Sequence, residues 1–241
     1  VYGELINTYG YNLEPGSKEL TALNYYTNEE ITIPLDPTQT PGENAQRYFA
    51  KYNKQKRTFE ALTELIRETA DDIQYLESIS NALDIALSEA DLAQIKEELM
   101  LSGYIRRKHT KKKVKLTSKP MHYISSDGYD MYVGKNNLQN EELTFSFANG
   151  NDWWFHAKGA PGSHVIVKSG GDELPDQTFE EAGRLAAYYS KNRGADKVEI
   201  DYIQKKHVKK PNGAKPGFVV YYTNYSLVID SDISNIKNVQ D

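Results

Sequence analysis

The sequence contains no cysteine, so disulfide bonds, thiolate metal ligands and thiol nucleophiles are excluded, which agrees with a reducing compartment such as the cytoplasm. It also lacks any apolar run near the ~20 residues that a transmembrane helix needs. The opening VYGELINTYG shows neither the basic nor the apolar part of a secretory signal, and it has no initiating methionine. We therefore expect a piece of a longer protein that begins in a β-strand.

The common motifs of hydrolytic, metal and nucleotide chemistry are missing as well. There is no G-x-S-x-G, no H-E-x-x-H and no Gly-Lys-Ser/Thr after a glycine-rich turn. The densest group of reactive side chains lies in NDWWFHAKGAPGSHVIV, residues 151–167. Because neighbours on a strand point to opposite faces, Ser163 and His164 are not expected to share a proton. We expect no enzyme activity, no metal and no cofactor; a hydrolase built on His156, Lys158 and His164 is the less favoured alternative.

Charge is distributed unevenly along the 241 residues, whose net charge is −5. Residues 1–103 carry 8 Lys+Arg against 18 Asp+Glu, a net −10, whereas residues 104–241 carry 21 against 16, a net +5. Two runs without an acidic residue, YIRRKHTKKKVKLTSKP and QKKHVKKPNGAKPG, hold much of the positive charge. Such runs suit a phosphate backbone, and a solvated linker with a lysine-rich loop is the alternative.

The acidic part of the chain is predicted to form a hairpin and a helical arm. Residues 20–36, LTALNYYTNEEITIPLD, have the β-branched and aromatic pattern of a β-hairpin. Apolar or small residues then recur at alternating spacings of three and four over residues 45–87, which is typical of a long coiled-coil helix. Ser88 and Asp91 resemble a capping box that begins a second helix, ending at Gly103.

That second helix is too short to cover the whole apolar stripe of the first. The stripe from Tyr48 to Ile66 is left without a partner, and we expect an upstream helix or a second copy of the chain to cover it. Packing of the stripe on the following domain is the alternative.

The basic part of the chain is predicted to be an α+β domain with a mostly antiparallel sheet and one main helix. Strand patterns occur in HYISSDGYDMYVG, DWWFHA, SHVIVKS, KVEIDYIQ, GFVVYY and SLVID. LTFSF fits either a strand or a helix. Thr178 with Glu181 predicts a capped helix on one face of the sheet. The predicted segments are a hairpin segment at 1–43, a coiled-coil arm at 44–103, a basic linker at 104–118 and the α+β domain at 119–241.

Within this domain, the Gly-Ala-Pro-Gly turn offers backbone N–H groups to an anion, and one of the two adjacent tryptophans offers a face for stacking on RNA bases. Strand alternation places the other tryptophan in the core. The RNA-binding residues predicted from these patterns are Arg106, Arg107, Lys108, Lys111, Lys112, Lys113, Trp153, Trp154, His156, Lys158, Gly162, Ser163, His164, Lys205, Lys206, Lys209, Lys210 and Lys215.

Four long stretches, in order along the chain, resemble the NFACT family: EEITIPLDPTQTPGENAQRYFAKYNK, DGYDMYVGKNNLQNEELTF, NDWWFHAKGAPGSHVIV and EEAGRLAAYYSKNRGADKVEIDYIQKKHVKKPNGAKPG. The resemblance spans essentially the whole chain. It identifies the region as the coiled-coil arm and the NFACT-R domain, with the family's N-terminal module, helix-hairpin-helix segment and first coiled-coil helix expected upstream.

The resemblance implies a cytosolic factor of ribosome-associated quality control. Such factors bind a large ribosomal subunit, its rRNA and its proteins, when a stalled peptidyl-tRNA is present, and they recruit tRNA to add C-terminal alanine tails. The resemblance also implies an RNA-binding part with no catalytic residue. Because family members have been named for fibronectin binding, a surface adhesin is a further alternative.

Overall fold

The computed structural model describes residues 1–106 and 118–239, and the chain divides into two compact units, Val1–Ala70 and Asp71–Asp241. Each unit has its own hydrophobic core. In the described part of the chain, no helix is both long enough and apolar enough to cross a membrane. The four segment boundaries expected from the sequence stay predictions.

The first unit begins with a helix, α1 at Tyr2–Tyr9, so the expected opening strand is wrong. Leu5 and Ile6 are both buried in the core of this unit. Two successive residues cannot face the same side of a strand, whereas a helix allows both to contact one core. The helical pattern is short, and the β-branched and aromatic residues of VYGELINTYG obscured it.

The hairpin follows as predicted, with β1 at Glu19–Asn24 and β2 at Glu29–Pro34 paired antiparallel. Leu20 lies opposite Ile33, and the two side chains are buried in the same core as Leu5. Tyr48, from the helix that follows, packs on this core and donates a hydrogen bond to the Pro34 carbonyl at 2.6 Å. Tyr48 therefore belongs to the hairpin core and not to the exposed stripe.

The long helix predicted from the heptads is α2, Pro41–Ile85. Within the first unit its apolar side chains Tyr52, Phe59, Leu62 and Ile66 are each more than half exposed. The same heptad positions stay exposed in the second unit, at Ile73, Leu76 and Leu83. We call these seven residues the heptad stripe.

Another face of α2 carries the packing in the second unit. The second helix, α3 at Glu89–Leu101, begins with the predicted capping box, in which Ser88 accepts from the Asp91 backbone and Asp91 accepts from the Ser88 backbone. It packs against the distal part of α2, as predicted. The shared cluster consists of Tyr75, Ile79, Ala82 and Ile95, with Leu99 at its border.

The rest of the second unit is built on an antiparallel sheet, which confirms the predicted α+β class. In the described residues its seven strands are ordered β8-β7-β5-β6-β4-β3-β9. The strands are β3 Met121–Ile124, β4 Asp130–Val133, β5 Trp153–Ala157, β6 Val165–Val167, β7 Val198–Gln204, β8 Tyr225–Ile229 and β9 Lys237–Asn238. The helices are α4 Asn137–Glu142, which continues as a π-helical turn at Leu143–Phe147, and α5 Asp176–Tyr188.

Helix α5 covers one face of the sheet, where Ala182, Leu185 and Ala186 pack against Phe155 and Val165. The predicted cap of this helix is wrong, because Pro175 holds the N-cap position and Thr178 lies inside the helix. Thr178, whose hydroxyl donates to Asp127 at 2.7 Å, and Glu181, whose carboxylate accepts from the Ser126 backbone at 2.8 Å, hold the β3–β4 turn instead.

The opposite face is covered by the π-helical turn and by the loop that follows β7. The predicted strand GFVVYY is wrong: residues 217–222 cross this face as a loop, joined to Lys209 only by a single bridge at Val220. Val219 and Tyr221 pack on Trp154 and Ile166, so the apolar alternation that suggested a strand reflects burial against a sheet face.

Candidate functional site

The two tryptophans of residues 151–167 point to opposite faces of the sheet, as strand alternation predicts. Trp154 is fully buried, and its ring contacts His156, His164 and Tyr221. Trp153 is partly exposed on the α5 face, with its ring 4.9 Å from that of Phe179. Only Trp153 therefore presents part of a ring to the surface.

His156 and His164 meet under the loop at Gly217–Tyr221, with their ring centroids 5.4 Å apart. Burial lowers the pKa of His156 to about 4, although the Gly162 carbonyl and Asp201 oppose that shift. Burial, and then the neighbouring His156, lower the pKa of His164 well below its ordinary value. Both imidazoles are neutral near pH 7, so they add no positive charge to the Gly-Ala-Pro-Gly turn.

Ser163 and His164 do not form a nucleophile–base pair. The Ser163 hydroxyl is buried and has no hydrogen-bond partner in the part of the chain that the structure describes. His164 uses its Nδ1 with the Thr144 hydroxyl at 2.8 Å. A serine nucleophile needs a hydrogen-bonded base, and this geometry does not provide one.

The Gly-Ala-Pro-Gly turn and the loop after Lys215 line one cavity of about 180 Å³. Asn140 closes its floor, accepting the His164 backbone N–H at 2.9 Å and donating to the Gly162 carbonyl at 3.2 Å. A Cβ at Gly162 would come within 3.0 Å of the Ser190 Cβ. The glycine thus permits a close backbone approach, which is a structural reason for its place in the motif.

Three lysines predicted to bind RNA are held by carboxylates. Lys158 pairs with Glu199 at 2.5 Å, Lys210 pairs with Glu141 at 2.8 Å, and Lys215 pairs with Asp72. Lys215 also lies over the ring of Tyr75, 4.4 Å from its centroid. These ion pairs offset much of the charge that the three lysines would offer a phosphate.

Within the described residues, the remaining lysines of the second basic run, Lys205, Lys206 and Lys209, are not paired with carboxylates. Lys206 and Lys209 are exposed, and within the described residues neither forms an ion pair. Lys205 lies 5.8 Å from the ring centroid of Phe145, which belongs to the π-helical turn.

The same turn carries Phe147, which is 41% exposed and whose ring lies 4.8 Å from the Lys168 ammonium group. Lys168 is itself paired with the buried carboxylate of Asp152 at 2.5 Å, so it contributes less charge to this surface than Lys205 and Lys206 do. The backbone N–H groups of Lys205 and Lys206 donate to the carbonyls of Asp152 and Gly150, which attaches the basic loop beside this turn. We call Phe145, Phe147, Lys168, Lys205 and Lys206 the basic–aromatic surface.

Sequence reasoning missed three members of this surface. Phe145 and Phe147 were hidden because LTFSF alternates like a strand, whereas the chain forms a π-helical turn there. Such turns are rare and often occur at functional sites. Lys168 was missed because it follows a buried strand and lies outside both basic runs of the sequence. The fold brings it beside Phe147.

Of the RNA-binding residues predicted in the first basic run, the structure describes Arg106, which is exposed. The predicted positions Arg107, Lys108, Lys111, Lys112 and Lys113 lie outside the described residues. In the described ranges, no group of three or more His, Asp or Glu residues is arranged to hold a metal ion. RNA binding by each of the predicted site residues stays a prediction.

Two family models match the chain. The model described as NFACT N-terminal and middle domains matches residues 1–118, and the NFACT protein RNA binding domain matches residues 119–223. Together they account for nearly the whole sequence.

Curated relatives named "Rqc2 homolog RqcH" are similar over almost the whole chain. The protein from Streptococcus suis (strain 05ZYH33) is 43% identical over 99% of this chain, and that from Bacillus subtilis (strain 168) is 42% identical over 98%. The chain spans 43% and 42% of their respective lengths. A solved structure of the C-terminal part of the fibronectin/fibrinogen-binding protein from Streptococcus suis is 43% identical and superposes with a TM-score of 0.75, covering 83% of this chain and 80% of that one.

Proposed function

Because the chain belongs to the NFACT family, we propose that it is the RNA-binding part of a cytoplasmic ribosome quality-control factor. In this proposal the whole factor binds the stalled large ribosomal subunit and tRNA and supports C-terminal tailing of nascent chains. The names of the relatives and of the matching RNA-binding domain support the general role. The tRNA, subunit and tailing functions are the finer part of the proposal.

The basic–aromatic surface is the observation that carries the RNA-binding role. Proteins bind single-stranded nucleic acid with cationic side chains next to partly exposed aromatic rings. The cations contact the phosphates, and the bases stack on the rings. Lys205 and Lys206 supply the charge, and Phe147 supplies the exposed face. Lys209, which follows in the same loop and forms no ion pair with any described residue, adds to this charge.

The chain acts by binding, without a reaction of its own. Trp154 and the two neutral histidines belong to a packed region beneath the loop, and Ser163 has no base among the described residues to activate it. We therefore assign this region a structural role, and below we call it a corner of the domain. This corner positions Val208 in the core and so sets the direction in which the basic loop leaves β7. The motif that looked most reactive in the sequence supports the RNA surface indirectly.

Matched charge variants test the RNA-binding surface. The triple variant Lys205→Gln/Lys206→Gln/Lys209→Gln should bind ribosomal RNA and tRNA more weakly. The slope of log affinity against log salt should fall by about 2 to 3, since each phosphate contact contributes ~0.7 to ~0.9. The control Lys51→Gln/Lys54→Gln/Lys56→Gln removes the same charge from exposed positions of α2.

Aromatic variants separate stacking from charge. Phe147→Ala should lose about 1 to 3 kcal/mol of binding free energy with an unchanged salt slope, because stacking releases no counterions. Tyr11→Ala, at an 80% exposed tyrosine of the first unit, is the control.

The charge variants also define the outcome that would contradict the proposal. This outcome is equal affinity of both triple lysine variants and the wild type for RNA and for purified large subunits.

The similar structure described as a fibronectin/fibrinogen-binding protein favours a second candidate, an adhesin. Immobilised fibronectin and fibrinogen distinguish the two functions. An adhesin should bind them with low salt sensitivity and ignore RNA, whereas the RNA-binding protein should show the opposite.

A further inference from the structure

The α5 face of the second unit carries an aromatic groove that shares no residue with the basic–aromatic surface. Trp153, Phe179, Tyr202 and Tyr225 line a cavity of about 430 Å³. Their rings form one cluster: Trp153 and Phe179 are 4.9 Å apart edge to face, and Tyr202 stacks on Tyr225 at 5.6 Å. Tyr225 is 60% exposed, so the cluster is open to solvent.

The other wall of the groove is acidic. The exposed residues Asp172, Glu173 and Asp176 line it, and within the described residues none of the three forms an ion pair. Its other lining residues, among them Gln204 and Leu174, include no lysine or arginine. Burial raises the pKa of the Tyr202 phenol, and the neighbouring Tyr225 and Asp176 raise it further.

This environment disfavours RNA at Trp153, because phosphates would approach three unpaired carboxylates. It favours a cation, which gains from the faces of the rings and from the carboxylates together. Among cationic side chains, arginine fits best, since its planar guanidinium stacks on aromatic rings and donates two parallel hydrogen bonds to a carboxylate.

We propose that the groove lined by Trp153, Tyr225 and the 172–176 acidic wall docks an arginine-bearing segment of a protein partner. The aromatic rings would hold the guanidinium plane, and the carboxylates would accept its N–H groups. The partner and the RNA would then contact different faces of the sheet.

The test uses the full 241-residue chain containing 5-fluorotryptophan, which gives one ¹⁹F NMR signal for each of its two tryptophans. Trp153→Phe assigns the signals. Acetyl-(Gly-Arg)₅-amide should shift the Trp153 signal with saturation and leave the signal of buried Trp154 in place. The same peptide with citrulline in place of arginine keeps the shape without the charge and should cause little shift.

Two variants address the two walls of the groove. Tyr225→Ala, at an exposed position, and Asp172→Asn/Glu173→Gln should each weaken peptide binding about 3- to 30-fold. Tyr222→Ala, at a 75% exposed tyrosine, and Glu14→Gln/Asp196→Asn are the matched controls and should bind as the wild type does. All four variants should retain RNA affinity, so failure of this inference is separable from failure of the proposed function.

Three outcomes would overturn the inference. These are equal binding of the citrulline peptide, unchanged binding by both wall variants, or displacement of the peptide by RNA together with a shift of the Trp153 signal. The last outcome would make the groove an RNA site.

Discussion

Buried titratable side chains give individual residues measurable effects in this protein. Glu98 is fully buried, and its Oε2 has no hydrogen-bond partner within the described residues, while Oε1 accepts from Asn137 at 2.8 Å. Burial raises the pKa of this carboxyl above its ordinary value. The folded protein therefore retains a proton on Glu98 at a pH where the unfolded chain has lost it.

Glu98→Gln should make stability less dependent on pH. Because the folded pKa is raised, the wild type loses stability as pH rises from about 4.5, the ordinary value, through the folded value. Glutamine resembles the protonated acid and should remove that loss. Chemical denaturation at pH 4 and pH 7 measures the free energy of unfolding of both proteins. Relative to the wild type, the variant should be more stable at pH 7 than at pH 4. An equal difference at the two pH values would contradict the prediction.

His156 should act in the opposite direction. Its folded pKa of about 4 lies below the ordinary 6.5, so stability is complete above pH 6.5 and falls as pH drops toward 4, by up to about 3 kcal/mol. His156→Gln should flatten this part of the pH profile. His207→Gln, at an exposed histidine, is the control and should follow the wild-type curve.

At the level of elements, α2 shows which sequence patterns predict structure and which do not. The heptad spacing predicted a long helix with an apolar stripe, and the helix is present. In the second unit, however, Tyr75, Ile79 and Ala82 are buried while Ile73 and Leu76 of the heptad stripe are exposed. Periodicity identifies an apolar face, but it cannot show which of two apolar faces a neighbour will occupy.

The second basic run and the adjacent π-helical turn show a similar limit. The concentration of lysines in this run can be predicted from the sequence, but their ion pairs cannot. Glu141 lies 69 residues away from Lys210 in the sequence, and Asp72 lies 143 residues away from Lys215. Which lysines stay unpaired depends on tertiary contacts. The same holds for Phe147, whose exposure follows from a π-helical turn that no local pattern indicates.

The heptad stripe should make the isolated chain self-associate. Phe59, Leu62 and Ile66 expose a continuous apolar surface that water disfavours, and a second copy of the helix is the simplest cover when no upstream helix is present. Leu62→Glu/Ile66→Glu should yield a monomer in sedimentation equilibrium. Lys51→Glu/Lys54→Glu, on exposed polar positions, should not change the wild-type mass; a monomeric wild type at high concentration would count against the prediction.

Across the whole molecule, opposite net charges on residues 1–103 and 104–241 confine the electrostatic attraction for RNA to the second part. Affinity for RNA should therefore depend strongly on salt even though the net charge of the chain is −5. The two basic runs contribute separately, because each carries its own group of lysines.

Changing Arg106, Arg107, Lys108, Lys111, Lys112 and Lys113 together to Gln should lower the salt slope by up to about 5, at ~0.9 per phosphate contact. Anisotropy titrations with ribosomal RNA and tRNA at several salt concentrations measure the slope. The change should add to that of the triple variant at Lys205, Lys206 and Lys209. Unaltered slopes in both variants would assign this part of the chain to protein–protein contact.

The pairing of β9 with β3 also has a consequence for how the protein is made. Tyr123 and Ile124 of β3 pair with Asn238 and Lys237 of β9, more than a hundred residues later. During synthesis, this side of β3 stays unpaired until residue 238 has left the ribosome, although β3 and β4 can already form a hairpin. A chain that stops shortly before β9 would therefore keep an unsatisfied strand edge, open to pairing with another nascent chain.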